Sequence, residues 1–254
     1  MPPSQIDYAT RARLGVLVPS GNTIAEPELR AMLPRDVGLF VTRLPLRGSS
    51  ETELLAMLDT LEAGTKLLAD AEPDAIAFHC TAVSTFAPHM ADEIRDRMGK
   101  ASAIPALATA DAILAALAAL RARRVLLITP YIAEVHDREA AWLAAMGFQV
   151  TGGGHMGVAT NGEMARIPPD SIAALVRDKA RGAAADVCFV SCTAIRSGVI
   201  VEMLENEIGM PVVTSNQMLA WYALRRLGIA SSPPGFGRLF AAPLAPRLAV
   251  KDAA

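Results

Sequence analysis

The chain has 254 residues, of which 52% are apolar, 5% aromatic and 20% charged, and its formal net charge is −2. The near balance of acidic and basic side chains argues against a nucleic-acid partner. The longest strongly apolar run, residues 112–120, is about half as long as the ~20 residues that a membrane span needs. Because the cysteine count is odd and residues 1–10 lack a basic start followed by an apolar stretch, we expect reduced thiols in a cytoplasmic protein with no membrane partner.

Short β-rich runs alternate with longer Ala- and Leu-rich stretches along the chain. The predicted strands cover residues 14–18, 39–44, 75–79, 125–129, 148–151, 187–191 and 211–214. The predicted helices between them include residues 51–69, 110–122, 135–145, 169–181 and 217–227. Strands separated by helices of this size are typical of βαβ units, so the sequence predicts an α/β fold with mainly parallel sheets flanked by helices.

Landmarks in the first half of the chain recur in the second half. Asp74 precedes an apolar run that ends at Cys80, and Asp186 precedes a similar run that ends at Cys192. Both the aspartates and the cysteines are separated by 112 positions. A pattern of this kind indicates an internal repeat.

Two further offsets support the repeat. The first predicted strand ends at Pro19 and its later counterpart ends at Pro130, a separation of 111 positions. The pair Ile104-Pro105 precedes one long helix, and the pair Met210-Pro211 precedes another 106 positions later. We therefore predict two related lobes of about 110 residues each, with a ligand-binding cleft at the carboxyl ends of their strands. The predicted lobes are residues 1–112 with 218–254, and residues 113–217.

Cys80 and Cys192 each stand at the predicted end of a buried strand, before a segment that can start a helix. Both thiols are therefore candidate catalytic groups. The N–H groups at a helix N-terminus favour a thiolate, and we expect lowered pKa values for both cysteines. Cys188 lies inside the second strand and has no counterpart in the first half, where Ile76 stands, so we interpret it as a structural thiol.

Polar residues at other strand ends are candidate anion-binding groups. The loop at residues 19–23 contains Asn22, and its small residues allow backbone N–H groups to approach an anion. Tyr131 holds the corresponding place in the second half. Asn161 begins an Asn-Gly pair that is also compatible with an ordinary turn.

The sequence supports neither a metal site nor a dinucleotide site. Zinc commonly requires four ligands with close spacing, whereas the four histidines are scattered along the chain. Residues 152–157 match G-x-G-x-x-G literally, but no helix start follows them, and we interpret them as a flexible loop. We expect no metal and no organic cofactor.

Together these motifs resemble the cofactor-independent aspartate/glutamate racemase superfamily, and within it the maleate cis–trans isomerases and their relative arylmalonate decarboxylase. The resemblance runs from Leu14 to Phe240 and implies two lobes related by a pseudo-two-fold axis, with the active site in the cleft between them. The motifs that carry it are residues 19–23, 80–81, 129–132, 161–163, 191–193 and the tail at 235–240.

The resemblance implies that Cys80 attacks the double bond of maleate and that Cys192 handles the proton on the other face. The residues expected to bind the small dicarboxylate substrate are Asn22, Thr81, Ala82, Tyr131, Asn161, Thr193 and Ala194. Arylmalonate decarboxylase lacks the first-lobe cysteine, so the presence of Cys80 favours an isomerase. A racemase or decarboxylase acting beside a carboxylate is the alternative, followed by a non-catalytic two-lobed binder, and a homodimer is compatible with each.

Overall fold

The computed structural model describes residues 6–48 and 50–244, and its first half alternates strands with helices. A short 3-10 helix at Met57–Thr60 separates α2 from α3. The elements are β1 (Ala12–Pro19), α1 (Ala25–Met32), β2 (Val37–Leu44), α2 (Glu51–Ala56), α3 (Leu61–Ala69), β3 (Ala75–Phe78), α4 (Thr81–Ser84), α5 (Met90–Ser102), β4 (Ala106–Ala108) and α6 (Thr109–Ala119).

The second half repeats this alternation. Short 3-10 helices lie at Gly198–Ile200 and, in the C-terminal tail, at Arg238–Ala241. The remaining elements are β5 (Arg124–Thr129), α7 (Ala133–Ala145), β6 (Gln149–His155), α8 (Asn161–Met164), α9 (Pro169–Ala180), β7 (Val187–Val190), α10 (Val201–Ile208), β8 (Val212–Thr214) and α11 (Ser215–Arg226).

Two parallel sheets organise these elements. The strand order is β2-β1-β3-β4 in the first sheet and β6-β5-β7-β8 in the second. Every pairing of neighbouring strands is parallel. The two identical orders confirm the predicted α/β fold, and they follow the repeat seen in the sequence. In both sheets the carboxyl ends of the two inner strands meet at the same edge, where ligands bind in folds of this kind.

A matching pair of aspartates ties the inner strands of each sheet together. Oδ2 of Asp74 accepts a hydrogen bond from the backbone N–H of Arg13 (2.7 Å). Oδ2 of Asp186 accepts one from the backbone N–H of Arg124 (2.8 Å). Asp74 lies just before β3 and fixes it against β1. Asp186 lies just before β7 and fixes it against β5. The recurrence of aspartate at this offset therefore has a structural cause.

Three elements differ from the prediction. Residues 152–155, expected to be a flexible loop, form the last part of β6. A Cβ at Gly153 would lie 2.1 Å from the carbonyl oxygen of Leu127 in β5, so the glycine permits this close strand pairing. Strand β4 was not predicted because its three residues, Ala-Leu-Ala, are not β-branched or aromatic. The predicted helix at 51–69 is divided by the 3-10 helix between α2 and α3.

Helices α6 and α11 pack against each other and share one apolar core with β1 and β5. The segment Ser215–Leu224 of α11 is buried along its whole length, including Trp221. The predicted lobe boundaries at 112 and 217 fall inside these two helices, and the division into those lobes stays a prediction. Every helix in residues 6–48 and 50–244 is too short or too polar to cross a membrane.

Candidate active site

Cys80 and Cys192 line the same small cavity, which has a free volume of about 20 Å³. Both side chains are almost fully buried. Five further lining residues were expected at the site, namely Thr81, Ala82, Tyr131, Asn161 and Thr193. Pro19 belongs to the loop at residues 19–23 that the sequence singled out, whereas four further lining residues were not predicted: Leu46, Gly48, Leu54 and Met164. Asn22 and Ala194, which were predicted, do not line the cavity.

Cys80 lies two residues after the end of β3 and occupies the position before the first residue of α4. Its side chain makes no capping hydrogen bond, although the backbone N–H groups of Val83 and Ala82 favour its thiolate. Burial raises the pKa of Cys80 to about 12, and these N–H groups offset only part of the rise. The expectation of a lowered pKa is therefore wrong, because loss of solvation outweighs the effect of the helix terminus.

Cys192 follows β7 and has a backbone φ of +114°, which is rare for a residue with a Cβ. Its sulfur accepts a hydrogen bond from the backbone N–H of Ala194 (3.2 Å). A hydrogen bond from the Tyr131 hydroxyl also favours the thiolate. Burial dominates here too and raises the pKa of Cys192 to about 12. The predicted lowering is wrong for this thiol as well.

Tyr131 stands in the loop after β5 and is buried against both cysteines. Burial and the nearby negative charge of a Cys192 thiolate hold the pKa of Tyr131 well above its usual value. The phenol is therefore protonated at any physiological pH. It is a hydrogen-bond donor inside the cavity, directed at Cys192.

Asn22 bridges the two halves of the chain. Its Oδ1 accepts hydrogen bonds from the backbone N–H groups of Ile24 (2.9 Å) and Ala25 (3.0 Å), which fixes the start of α1. Its Nδ2 donates to Oγ1 of Thr193 (2.9 Å). Asn22 thus orients Thr193, which itself lines the cavity.

Asn161 begins α8 and closes the cavity against the loop that follows β2. Its backbone N–H donates to the carbonyl oxygen of Arg47 (3.0 Å), and its Nδ2 donates to that of Leu46 (3.4 Å). The Thr160 side chain caps the short helix by accepting a hydrogen bond from the backbone N–H of Glu163. The Asn-Gly pair is therefore the start of a helix and not an isolated turn.

Ser215, the first residue of α11, connects the two strand ends and was not predicted. Its Oγ accepts a hydrogen bond from Oγ1 of Thr81 (2.9 Å) and another from the backbone N–H of Cys192 (3.1 Å). A single hydroxyl group thus holds the chain beside both cysteines in place. Nothing in the local sequence around Ser215 marks this role, because its partners are 23 and 134 residues away.

Cys188 was interpreted from the sequence as a structural thiol, and His79 is buried beside the site in a hydrogen-bond network. The His79 ring is fully buried between Oγ1 of Thr109 (3.0 Å) and Oδ1 of Asn216 (2.8 Å), and burial lowers its pKa to about 4. Cys188 is fully buried inside β7. In the described residues no group of three or more His, Cys, Asp or Glu side chains is arranged to hold a metal ion.

The described lining of the cavity contains no lysine, arginine or histidine side chain. Two carboxylates lie near Cys192 instead, Glu28 on α1 and Glu139 on α7, and the charge of each raises its pKa. Neither glutamate was predicted. They are separated by 111 positions, the same offset as the strand ends, so the repeat could have revealed them.

Two parallel α/β lobes that each bring a cysteine to one shared cavity are the arrangement of the aspartate/glutamate racemase superfamily. Within it, the sequence model of the family described as arylmalonate decarboxylase matches residues 14–240. The chain belongs to this family.

Similar proteins include maleate isomerases as well as a decarboxylase. Maleate isomerase of Nocardia farcinica is 30% identical over 237 residues, which is 89% of this chain and 94% of the relative. Arylmalonate decarboxylase of Bordetella bronchiseptica is 34% identical over 145 residues, which is 56% of this chain and 60% of the relative.

A solved structure of the Nocardia farcinica maleate cis–trans isomerase is closely similar in fold. That structure is of a variant with a covalently bound succinylcysteine intermediate. Its TM-score against this chain is 0.85 and its sequence identity is 28%, and the match covers 90% of this chain and 98% of the isomerase. A crystal structure of arylmalonate decarboxylase has a TM-score of 0.78 and 26% identity, covering 90% and 99% of the two chains.

Proposed function

We propose that this protein is a cofactor-independent isomerase that converts maleate to fumarate through a covalent adduct on Cys80. The observation that carries the proposal is the placement of two cysteines, one from each half of the chain, in a single small cavity. The similarity to maleate isomerases, one of them with a succinylcysteine intermediate, supports it. By the resemblance, a decarboxylase needs only the second-lobe cysteine, so Cys80 favours the isomerase over that alternative.

The reaction begins with addition to the double bond. The Cys80 thiolate attacks one alkene carbon, forms a carbon–sulfur bond and places negative charge on the neighbouring carbon and its carboxylate. The Cys192 thiol then donates its proton to that neighbouring carbon. Because the former double bond is now a single bond, rotation about it is fast.

The second half of the reaction reverses these steps in the rotated adduct. The Cys192 thiolate removes the proton again, the carbon–carbon double bond re-forms, and the bond to Cys80 breaks to release fumarate and the Cys80 thiolate. Protons and electrons therefore balance over one cycle. Both thiols have raised pKa values, so each thiolate depends on nearby backbone N–H groups: those of Val83 and Ala82 favour the Cys80 thiolate, and that of Ala194 donates a hydrogen bond to Cys192.

The substrate carboxylates are bound by neutral donors. Tyr131, Asn161, Thr81 and Thr193 line the cavity, together with the backbone at Ala82. Asn22 and Ala194 contribute by orienting Thr193 and Cys192. Donors placed where charge builds up in the transition state are each worth about 3 kcal/mol, so no cationic side chain is needed.

The test is to incubate the purified protein with maleate and follow the alkene protons by NMR. We expect the maleate signal to be replaced by the fumarate signal without any added metal or cofactor, and dialysis against a chelator to leave the rate unchanged. Release of carbon dioxide from an arylmalonate, with no conversion of maleate, would support the decarboxylase alternative instead.

A cytoplasmic location and a homodimer stay predictions. The reaction requires Cys80 and Cys192 as thiols, and the structure holds Cys80, Cys188 and Cys192 as free cysteines. A reducing compartment keeps them in this form.

A further inference from the structure

Glu139 is a buried carboxyl group next to the catalytic strand end. It lies on α7 and is 2% exposed. Its Oε1 accepts a hydrogen bond from Oγ of Ser191 (2.7 Å), the residue directly before Cys192. Its Oε2 is also buried and has no hydrogen-bond donor in the described protein. A buried ionised carboxylate with one unsatisfied oxygen is costly, so this group is poised to accept a proton.

The pseudo-symmetric residue Glu28 has a different environment. Its Oε2 accepts a hydrogen bond from Nδ2 of Asn216 (2.7 Å), and its Oε1 accepts one from the backbone N–H of Gly198 (2.8 Å). By the 106-residue offset, the position equivalent to Asn216 is Ala110, which has no amide to offer Glu139. Both halves of the repeat therefore contain the glutamate. In Glu28 each carboxylate oxygen accepts a hydrogen bond, whereas in Glu139 only Oε1 does.

The charged and titratable groups around Glu139 do not neutralise it. On α7, Arg138 attracts its charge, but the Arg138 guanidinium lies over the Phe86 ring (4.4 Å) and its buried Nη2 is itself without a partner. The rings of His136 on α7 and His155 on β6 lie 5.5 Å apart and are tilted by 41° relative to each other. Toward the cavity stand the acidic groups Tyr131, Cys192 and Cys80, and Glu28 faces Cys192 from α1.

We propose that Glu139 is a positioning residue that takes up a proton from solvent when the dianionic substrate enters and releases it when product leaves. The proposal rests on the proposed function for the charge of the substrate. Without this uptake the cavity, whose described lining has no cationic side chain, would bring two substrate carboxylates and a thiolate close to the Glu139 carboxylate. Protonation removes that repulsion at Cys192 without moving any group that touches the substrate.

The titration range of Glu139 makes the proposal measurable near neutral pH. Burial raises its pKa to about 7, against the opposing effects of the Ser191 hydrogen bond and the Arg138 charge. Substrate binding raises this pKa further. Above pH 7 the free enzyme must therefore bind a proton together with the substrate, and the apparent affinity falls about tenfold for each pH unit.

The first test compares KM and kcat for maleate between about pH 7 and pH 9 in three proteins, because one proton per binding event gives a defined slope. In the wild type we expect KM to rise about tenfold per pH unit, which is measured separately from kcat because kcat itself rises with pH as the Cys80 thiol ionises. In Glu139→Gln, which keeps an acceptor for Ser191 but carries no charge, KM stays constant. Glu28→Gln, the matched control, keeps the wild-type slope. The proposal is overturned if KM of Glu139→Gln rises with pH as steeply as that of the wild type. It is also overturned if the rise of KM with pH disappears in Glu28→Gln but not in Glu139→Gln.

A second measurement does not depend on turnover or on the Glu139 variant. Maleate binding to Cys80→Ser is followed by calorimetry at about pH 8 in two buffers that differ in ionisation enthalpy, which counts protons taken up. We expect an uptake that approaches one proton, and none when Glu139→Gln is added. Binding without uptake in Cys80→Ser refutes the role of Glu139. Absence of maleate turnover in the wild type counts against the proposed function instead.

Discussion

At the scale of single residues, the backbone of Cys192 has the most unusual conformation in the site. A φ of +114° is a region that residues with a Cβ rarely adopt, and it costs on the order of 1–3 kcal/mol. The conformation lets the backbone N–H of Cys192 reach Ser215 while the sulfur accepts the N–H of Ala194. Strain at this residue thus fixes the position of the proposed proton donor.

Two substitutions separate this strain from the loss of the thiol. Cys192→Gly and Cys192→Ala both remove the sulfur, but glycine adopts a positive φ without steric conflict. We expect Cys192→Gly to be more stable than Cys192→Ala by about 1 kcal/mol in urea unfolding. Equal stability, or a more stable alanine variant, would contradict a strained backbone at this position.

At the scale of secondary-structure elements, the first turn of α11 connects the two halves of the site. Asn216 donates from Nδ2 to Glu28 (2.7 Å) and to the carbonyl oxygen of Thr193 (3.3 Å). This orientation turns its Oδ1 toward Nε2 of His79, so Nε2 carries a proton and donates it to Asn216 (2.8 Å). One side chain thus joins α1, the end of β3 and the segment after β7.

Replacing Asn216 by alanine leaves a partly buried carboxylate and a buried imidazole each short of a partner. Each unsatisfied group costs about 1–3 kcal/mol, so we expect Asn216→Ala to lower the free energy of unfolding by about 2 kcal/mol or more. The control is Asn206→Ala on the exposed side of α10, with an expected change within about 0.5 kcal/mol. Similar small changes in both variants, measured by urea unfolding, would show that the network contributes little.

Local sequence was enough to predict most strands and the repeat, because buried parallel strands are continuous apolar runs. It was not enough for β4, which is three residues long, or for the glycine-rich end of β6, whose form depends on the neighbouring β5. The cysteines were found because they end strands. Ser215 was not found, because its role depends on contacts between distant parts of the chain.

At the scale of the whole molecule, the structure represents a closed site. A free volume of about 20 Å³ is enough for about one water molecule but not for a four-carbon dicarboxylate. The loop after β2 covers the cavity, since the carbonyl oxygen of Leu46 accepts hydrogen bonds from Gly21 and Asn161. We therefore expect substrate entry to require that the hydrogen bonds of Asn161 to this loop, which join the two halves of the chain, break.

Alkylation of the native protein tests this opening, with Cys188 as an internal control. Cys80 and Cys192 become accessible when the loop moves, whereas Cys188 lies inside β7 and needs unfolding. With iodoacetamide we expect both cavity cysteines to react at least about tenfold faster than Cys188, as read by peptide mass spectrometry. Maleate should protect them. Equal rates for all three cysteines would indicate global unfolding and not local opening.

The division of labour between the two cysteines is tested most directly by intact-protein mass spectrometry of Cys192→Ser and Cys80→Ser with maleate. Cys192→Ser keeps the nucleophile, and we expect an adduct of substrate mass on Cys80 together with a 10²–10⁴-fold loss of turnover, roughly that of a lost general acid–base group. Cys80→Ser should be inactive and show no adduct, because an alcohol is hardly ionised at neutral pH. Maleate turnover by Cys80→Ser, or an adduct on Cys192 in place of Cys80, would contradict the assignment.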